Sequence, residues 1–286
     1  MIAVVRIMGG LGNQLFQYAF ALALARGGAE TFLERRLRPD RYKRKFALDF
    51  LSPRLPLCGA KHRILVRAKW DARLLRRLLF MPNPMLVKDG DDWRKFLDAP
   101  LPANIHFFGY WQAAATAAEA PELLADLRKI RDGLPPLPES AEEVNIAVHA
   151  RRLWEYDAQG GIIRKKSKPA DAVRLSLQYY KRAFISMREK YNNPHFFIFG
   201  DDAKWCADNL LPLAAPNRAT LMPPGARPDW QDMLLMAKCE GCILSNSTFA
   251  WWGATIGGGY AVAPAEWSND PARNAIIYPP EWKIIK

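Results

Sequence analysis

The chain has 286 residues, of which 50% are hydrophobic and 12% aromatic, and its formal net charge is +12. This length and composition allow one large core or two smaller ones, and they exclude disorder over most of the chain. The longest apolar stretch, 16–25, is about half the length that a membrane-spanning helix needs, so a cytoplasmic protein is expected.

The positive charge favours anionic partners, and alone it does not distinguish nucleic acid, anionic lipid and phosphorylated small molecules. Much of it lies between Arg35 and Lys45, with more between Arg63 and Arg77. One interpretation is a solvated face that keeps the protein soluble. The other is a patch that contacts an anionic membrane surface.

The N-terminal half begins as an α/β unit, with an apolar strand, a glycine-rich turn and a helix. A basic stretch broken by prolines follows, and then a further strand and helix. In this half, the predicted strands are 2–8 and 105–110, the glycine-rich turn is 9–14, and the predicted helices are 13–25 and 113–131. The proline-rich segment 135–140 interrupts regular structure, so we predict two domains, 1–138 and 139–286.

Strands alternate with helices throughout the C-terminal half, which predicts a parallel sheet with crossover connections. The predicted strands are 145–150, 195–200, 220–222, 241–245 and 259–263, the last of which is taken as the final strand. The predicted helices are 175–191, 202–211, 230–238 and 248–257. Ligands of such sheets bind at the carboxyl ends of the strands, so residues at these ends are candidate site residues.

The first two strand ends carry groups suited to anions. The glycines of 9–14 either let backbone N–H groups approach an anion at a helix start or simply form a tight turn. Arg151 and Arg152 end the strand 145–150, and a guanidinium is a poor core group that binds phosphate bidentately. His149 either hydrogen-bonds a nucleotide base or is a buried histidine satisfied by backbone.

Two later strand ends carry further polar groups. Asp201 or Asp202 can accept hydrogen bonds from guanine N1 and N2, or can cap the following helix. The segment Ser245–Thr248 offers hydroxyls and amides at a helix start, and capping accounts for only one of its hydroxyls. Trp251 and Trp252 follow directly. Together, the four strand ends predict a site for a nucleoside diphosphate.

The sequence contains two motifs that resemble metal sites. Asp89 and Asp91 form a D-x-D, which we interpret as a helix cap because Trp93 and Arg94 follow it. Cys239 and Cys242 form a C-x-x-C without the second ligand pair of a zinc ribbon. We expect buried structural thiols and no metal site.

The segment from Ile7 to Ala19 closely resembles the opening of the bacterial α-1,2-fucosyltransferases of glycosyltransferase family 11. Further matches follow in family order at 149–152, 179–183, 197–205, 232–239, 245–253 and 282–284. The resemblance covers nearly the whole chain and is weak only from about residue 35 to 135.

The resemblance implies a GT-B architecture, in which two Rossmann-like domains face a central cleft. The N-terminal domain would lie on the acceptor side, and the C-terminal domain would bind the GDP-sugar. The implied reaction is inverting transfer of L-fucose from GDP-fucose to a galactose 2-hydroxyl, without a cofactor or an obligatory metal. The acceptor would be a galactose-containing oligosaccharide or a lipid-linked glycan such as an O-antigen. No nucleic acid is expected, and the basic patch allows peripheral association with the inner face of the membrane.

The resemblance also assigns roles to single residues. Those assigned to the diphosphate are Gly10, Arg151, Ser247 and Thr248. Those assigned to the guanine base are His149 and Asp202, with Asp201 as an alternative. Those assigned to the cleft near the fucose or the acceptor are Asn13 and Gln14.

One position departs from the family pattern His-x-Arg-Arg-x-Asp, because Trp154 stands where the aspartate belongs. The catalytic carboxylate would then be Glu155 or Asp157. A GT-B transferase with another nucleotide sugar or acceptor linkage is therefore an alternative. A basic polyanion-binding protein is a second alternative, although residues 35–45 lack the interleaved aromatics of a stacking platform.

Overall fold

The computed structural model describes residues 1–35, 45–66, 85–88, 94–97, 100–138, 144–152, 155–156, 162–163 and 175–286. The chain divides into two compact units, Met1–Leu123 and Leu124–Lys286. Each contains a parallel sheet flanked by helices, which confirms the α/β class with two Rossmann-like units. The division after residue 138 and the cleft between two domains stay predictions.

The N-terminal unit contains a four-stranded parallel sheet in the order β2-β1-β4-β3. Its strands are β1 Ile2–Ile7, β2 Glu30–Arg35, β3 Met85–Lys88 and β4 Ile105–Phe108. The helices of this half are α1 Leu11–Arg26, α2 Ala60–Val66, α3 Ala114–Ala118 and α4 Pro121–Asp132, with short 3-10 turns at Asp49–Leu51 and Arg94–Phe96. The helix α1 is buried along nearly its whole length, from Leu11 to Leu24.

The prediction of one continuous helix over 113–131 is wrong. Helix α3 ends at Ala118 and α4 begins at Pro121. A proline has no N–H to donate and its ring clashes with the preceding turn, so it is tolerated at a helix start and not inside a helix. Pro121 therefore divides this segment into two helices.

The C-terminal unit contains a six-stranded sheet whose neighbouring strands are all parallel. Its strands are β5 Asn145–Ala150, β8 His195–Gly200, β9 Ala219–Met222, β10 Gly241–Ile243, β11 Tyr260–Pro264 and β12 Lys283–Ile285, and β6 Glu155–Tyr156 pairs with β7 Ile162–Ile163 in a separate antiparallel pair. Its remaining helices are α5 Leu177–Lys190, α6 Ala203–Asn209, α7 Leu211–Ala214, α8 Asp229–Met236, α9 Thr248–Gly257 and α10 Pro271–Ile276.

The prediction that 259–263 is the last strand is wrong, because β12 pairs in parallel with β11. This strand is only three residues long and lies at the sheet edge, with Lys283 and Ile284 exposed. An exposed edge strand lacks the buried apolar run that marks the inner strands of a parallel sheet.

The strand order β12-β11-β10-β5-β8-β9 determines where this unit can bind a ligand. Renumbered within the unit, it is the doubly wound order 6-5-4-1-2-3, whose direction reverses between β5 and β10. The crossover connections that follow these two strands lie on opposite faces of the sheet, so a crevice opens beyond the carboxyl ends of the strands. Among the helices that the structure describes, none combines the length and the apolar character that a membrane crossing requires.

Candidate functional site

The carboxyl ends of β5, β8 and β10 lie side by side at the point where the strand order reverses. Val148 of β5 pairs with Ile243 of β10, and Ala150 pairs with Gly200 of β8. The polar residues that follow these strands therefore lie at one edge of the sheet. This edge, from His149 to Arg152 with Asp201, Asp202 and 245–248, is called the switch-point edge below.

Arg151 is held by a carboxylate at this edge. Its Nη1 lies 3.0 Å from Oδ2 of Asp201, whose side chain is 8% exposed, whereas the Arg151 side chain is 31% exposed. The other carboxylate oxygen of Asp201 accepts a hydrogen bond of 2.7 Å from the backbone N–H of Arg152. Arg151 thus presents a charged group to solvent while a buried acid holds it.

Arg152 and Asp202 both contact Trp205, whereas Arg151 and Asp201 contact each other. The Arg152 guanidinium lies 3.8 Å from the ring centroid of Trp205, a cation–π contact. Oδ1 of Asp202 accepts from the backbone N–H of Trp205 at 2.9 Å and so caps helix α6. The capping alternative is thus observed for Asp202. Because a carboxylate has about four acceptor positions, capacity for a base remains.

His149 is buried and uncharged. Burial lowers its pKa to about 3, and the positive charge of Arg151 contributes in the same direction. Its Nδ1 lies 2.7 Å from the hydroxyl oxygen of Ser245, and its ring lies 5.5 Å from that of Phe249. Within the part of the chain that the structure describes, Nε2 contacts no hydrogen-bond partner. A neutral imidazole with one nitrogen engaged can offer the other to a ligand.

The segment after β10 leads into helix α9 without a side-chain cap from Ser247, whose backbone is extended. The first N–H groups of a helix have no partner within the helix, and the helix dipole favours an anion there. No acidic residue lies in the first turn of α9. Ser247 and Thr248 therefore lie at a helix start, where an anion would be stabilised, and their role in binding a diphosphate stays a prediction.

Trp251 and Trp252 do not contribute to this edge, although they follow the polar segment Ser245–Thr248 closely in sequence. Both side chains are fully buried, and their rings meet edge to face with centroids 5.3 Å apart. The Trp251 indole N–H donates to the Ile277 carbonyl at 2.7 Å. The tryptophan pair is part of the core.

Gly200 allows β8 to approach its neighbours closely. A Cβ at this position would lie 2.5 Å from Sγ of Cys206 and 3.2 Å from the Ala150 carbonyl oxygen. Real Cβ atoms do not approach other heavy atoms at the shorter of these distances, so the Cys206 side chain in helix α6 would have to move, and the end of β5 would have to shift slightly. The need for glycine here arises from a contact between three segments, and no local sequence signal reveals it.

The cysteines are buried free thiols, as expected. Burial raises the pKa of Cys242 to about 12 and that of Cys206 to about 12, with the charges of Asp201 and Asp202 adding to the effect on Cys206. Thiols with such pKa values are weak nucleophiles at neutral pH. Among the described residues, no three His, Cys, Asp or Glu side chains are grouped so that they could hold a metal ion.

The glycine turn of the N-terminal unit is tightly built. Gly9 has a φ of +80°, and a Cβ there would lie 2.7 Å from Nδ2 of Asn13 and 3.1 Å from the Tyr110 ring. Gly10 precedes helix α1 in an extended conformation, and because glycine has no side chain, it provides no side-chain cap for the helix start. Oδ1 of Asn13 accepts from Nε2 of Gln112 at 2.9 Å. The roles of Gly10 in donor binding and of Asn13 in the cleft stay predictions.

Gln14 is 2% exposed, and its amide binds backbone on both sides. Its Nε2 donates to the carbonyls of Gly9 and Lys45 at 2.9 and 2.8 Å, and its Oε1 accepts from the Ala47 N–H at 2.8 Å. These bonds connect the glycine turn to segment 45–47. The structure thus gives Gln14 a positioning role, and its place in the cleft near the fucose or the acceptor stays a prediction.

Gln17 is a structural residue that sequence reasoning missed. It is fully buried, its Oε1 accepts from the Met8 N–H at 2.8 Å, and its Nε2 donates to the Gly109 carbonyl at 2.9 Å. Met8 follows β1 and Gly109 follows β4, so one side chain joins two strand ends. The sequence offered one sign of this role, which is a glutamine among the apolar residues of a buried helix.

A cluster of ionisable side chains lies on the neighbouring strands β1, β2 and β4 of the N-terminal sheet. Oε2 of Glu34 lies 2.7 Å from Nε of Arg6 and 3.0 Å from Nε2 of His106, and the Glu34 side chain is 3% exposed. Burial alone would raise the pKa of Glu34, but the hydrogen bonds and charges of His106 and Arg6 outweigh it and hold that pKa well below its usual range.

Glu34→Gln is expected to lower the free energy of unfolding at pH 7 by about 1.5–3 kcal/mol, because charge-assisted hydrogen bonds are lost. A carboxylate with a depressed native pKa stabilises above its unfolded pKa and loses that contribution as the pH falls below it. The difference between variant and wild type should therefore shrink below about pH 4.3. Urea unfolding at several pH values measures it, with exposed Glu119→Gln as the control. A difference that is equal at pH 7 and pH 3.5 would contradict this account.

Several predicted residues lie outside the described residues. These are Asp157, Trp154, the D-x-D from Asp89 to Asp91, and the basic residues 36–44. Glu155 is described only as part of strand β6, without its side chain. The choice between Glu155 and Asp157 as the catalytic base stays a prediction.

A doubly wound sheet with an arginine and a helix start at its switch point is the arrangement of a nucleotide-binding α/β enzyme. Comparison with known proteins identifies this enzyme as a glycosyltransferase. The family described as "Glycosyl transferase family 11" matches residues 4–286, so the chain belongs to that family. The resemblance inferred from the sequence is confirmed.

Two relatives from Escherichia coli match over most of their length. An α-1,2-colitosyltransferase is 24% identical over 301 residues, which cover 100% of this chain and 99% of the relative. The O-antigen biosynthesis glycosyltransferase WbnK is 26% identical over 288 residues, which cover 91% of this chain and 93% of the relative. A solved structure of an Arabidopsis thaliana FUT1 mutant in complex with GDP aligns with a TM-score of 0.49 at 10% identity, covering 92% of this chain and 69% of that one.

Proposed function

We propose that this enzyme transfers L-fucose from GDP-fucose to the 2-hydroxyl of a galactose-containing glycan, with inversion at the fucose C1. The observation that supports this most is that Arg151 and the start of α9 follow the neighbouring strands β5 and β10 at the switch-point edge, in a member of glycosyltransferase family 11. The α-1,2 linkage is suggested by relatives named α-1,2-colitosyltransferase and galactoside α-(1,2)-fucosyltransferase.

Donor binding follows from the charges at the edge. Arg151 and the N–H groups at Ser247 and Thr248 would bind the diphosphate, since both offer fixed donors to an anion. Neutral His149 and the remaining acceptor capacity of Asp202 would contact the guanine base. Because His149 stays uncharged above about pH 3, its contact with the base should not titrate near neutral pH.

In the proposed reaction, the bond between fucose C1 and the β-phosphate oxygen breaks, and negative charge grows on the departing GDP. Arg151 and the helix-start amides stabilise this charge where it develops, so no metal or cofactor is required. The acceptor hydroxyl attacks C1 from the opposite face. Its proton passes to a carboxylate, for which Glu155 and Asp157 are the candidates.

Colitose is a second candidate for the transferred sugar. The observation that favours it is the α-1,2-colitosyltransferase that matches along the whole chain. Trp154 in place of the family aspartate is a further reason to test a donor other than fucose. The two candidates differ in the sugar that is transferred.

Thermal unfolding with GDP, UDP and ADP tests the nucleotide preference. We expect GDP to raise the melting temperature, because a ligand that binds only the native state stabilises it, and UDP and ADP to raise it less. Equal shifts would favour a transferase with another nucleotide sugar. Binding to DNA or RNA that falls steeply with salt would instead favour a polyanion-binding protein.

The acceptor is proposed to be an oligosaccharide or a lipid-linked glycan, and the net charge of +12 supports contact with anionic membranes. Sedimentation with vesicles tests this contact. Vesicles that contain phosphatidylglycerol should retain the protein at low salt, and vesicles of phosphatidylcholine alone should not. Equal retention by both would contradict peripheral, charge-driven association.

A further inference from the structure

We propose that Asp201 is a positioning residue, which orients Arg151 toward the donor diphosphate and does not contact the nucleotide base. The inference rests on the proposed function, in which Arg151 binds that diphosphate. It replaces the guanine contact that the family resemblance offered as an alternative for Asp201.

Both carboxylate oxygens of Asp201 already have partners at the end of β5. Oδ2 lies 3.0 Å from Nη1 of Arg151, and Oδ1 accepts from the Arg152 N–H at 2.7 Å. The side chain is 8% exposed, so a base has little of the carboxylate to contact. Two bonds to consecutive residues fix both the strand end and the guanidinium that extends from it.

Contacts on either side of Asp201 hold this arrangement in place. Arg152 lies 3.8 Å over the Trp205 ring, and the Trp205 N–H donates to Asp202. Arg152 thereby joins the end of β5 to helix α6, and Arg151 joins it to Asp201, which directly follows β8. The twin arginines thus have different tasks, since Arg152 packs against the helix while Arg151 is partly exposed.

Arg151 can serve Asp201 and a phosphate together. A guanidinium carries five N–H donors in a planar fork, and the contact with Asp201 uses Nη1. Without the carboxylate, Arg151 keeps its charge and loses its fixed direction. Because small misplacements of a catalytic group cost up to about 10²-fold in rate, the loss should fall on kcat rather than on GDP affinity. Removing a negative charge beside the phosphates does not weaken ground-state binding.

Asp201→Asn distinguishes positioning of Arg151 from contact with the base. Asparagine retains one carbonyl oxygen, which can still accept from the Arg152 N–H. We expect kcat with GDP-fucose to fall about 10–100-fold, while the Kd for GDP stays within about twofold of wild type. The preference for GDP over inosine diphosphate, which lacks the guanine amino group, should not change. Asp208→Asn in helix α6 is the control, since Asp208 is exposed and pairs only with Lys204 among the described residues.

A contact with the base predicts the opposite pattern. Loss of the preference for GDP over inosine diphosphate in Asp201→Asn would overturn the proposal, and so would a wild-type kcat. In the Arg151→Ala background, Asp201→Asn should lower kcat by less than about twofold further, because groups that act as one unit are not additive. A full additional loss in the double variant would show that Asp201 acts independently of Arg151.

A measurement that needs no substrate distinguishes failure of this inference from failure of the proposed function. Phenylglyoxal modifies accessible arginines, and mass spectrometry reports the rate at each one. We expect Arg151 to react several-fold faster in Asp201→Asn than in wild type, with Arg182 unchanged as an internal control. Equal rates at Arg151 would overturn the positioning role even if fucose transfer is confirmed. Faster modification in a protein that transfers no fucose would support positioning and contradict the proposed function.

Discussion

Arg151→Ala is expected to lower kcat by about 10²–10³, which corresponds to about 2.7–4 kcal/mol of transition-state stabilisation. The reason is that Arg151 carries a fixed positive charge at the edge where the diphosphate would become more negative as the sugar leaves. Steady-state kinetics with GDP-fucose and a galactoside measures the effect. Arg151→Lys should recover only part of the rate, because an ammonium keeps the charge and lacks the planar fork.

The matched control is Arg182→Ala, since Arg182 is an exposed arginine whose described hydrogen bond is to the C-terminal carbonyl of Lys286. It should retain wild-type kinetics. Arg151→Ala leaves Asp201 with its backbone partner, so the loss of folding free energy should stay within about 1–3 kcal/mol. Near-normal turnover with unchanged GDP affinity would contradict the assignment of Arg151.

Gln17→Leu is expected to cost about 2–6 kcal/mol of folding free energy, the largest stability effect we expect at a single polar side chain. Leucine has a similar volume, but it leaves the Met8 N–H and the Gly109 carbonyl without their partner in a fully buried place. Each unsatisfied buried group costs about 1–3 kcal/mol. Urea unfolding monitored by tryptophan fluorescence measures the loss.

Gln178→Leu provides the comparison, because Gln178 is an exposed glutamine in helix α5. The same substitution there should change stability by no more than about 0.5 kcal/mol. If the two variants lost equal stability, the connection between β1 and β4 through Gln17 would not be a stabilising one.

The α/β class and most inner strands could be predicted because buried parallel strands are short apolar runs between helical patterns. The same reasoning placed Arg151, Asp201 and Ser247 at carboxyl ends of strands. What it could not supply was the order of those strands, which depends on crossovers and not on local pattern. Only that order shows that β5 and β10 flank the switch point.

Two features that the sequence did not reveal, the ion pair of Asp201 with Arg151 and the bridge made by Gln17, depend on contacts distant in sequence. Asp201 bonds a residue 50 positions away in the chain, which no motif around Gly200 reveals, and Gln17 joins strands whose ends are separated by most of the N-terminal unit. Trp251 and Trp252 follow the predicted site segment 245–248, yet the periodicity of their helix directs them into the core. Strand β12 is short and exposed, so apolar pattern could not indicate it.

Incubation with labelled GDP-fucose and a panel of galactosides, followed by linkage analysis of the product, tests the central claim most directly. Our account predicts a product in which fucose is joined to the 2-position of galactose, formed by wild type and reduced about 10²–10³-fold in Arg151→Ala. Absence of fucose transfer to every galactoside, by a protein that GDP does not stabilise, would contradict it.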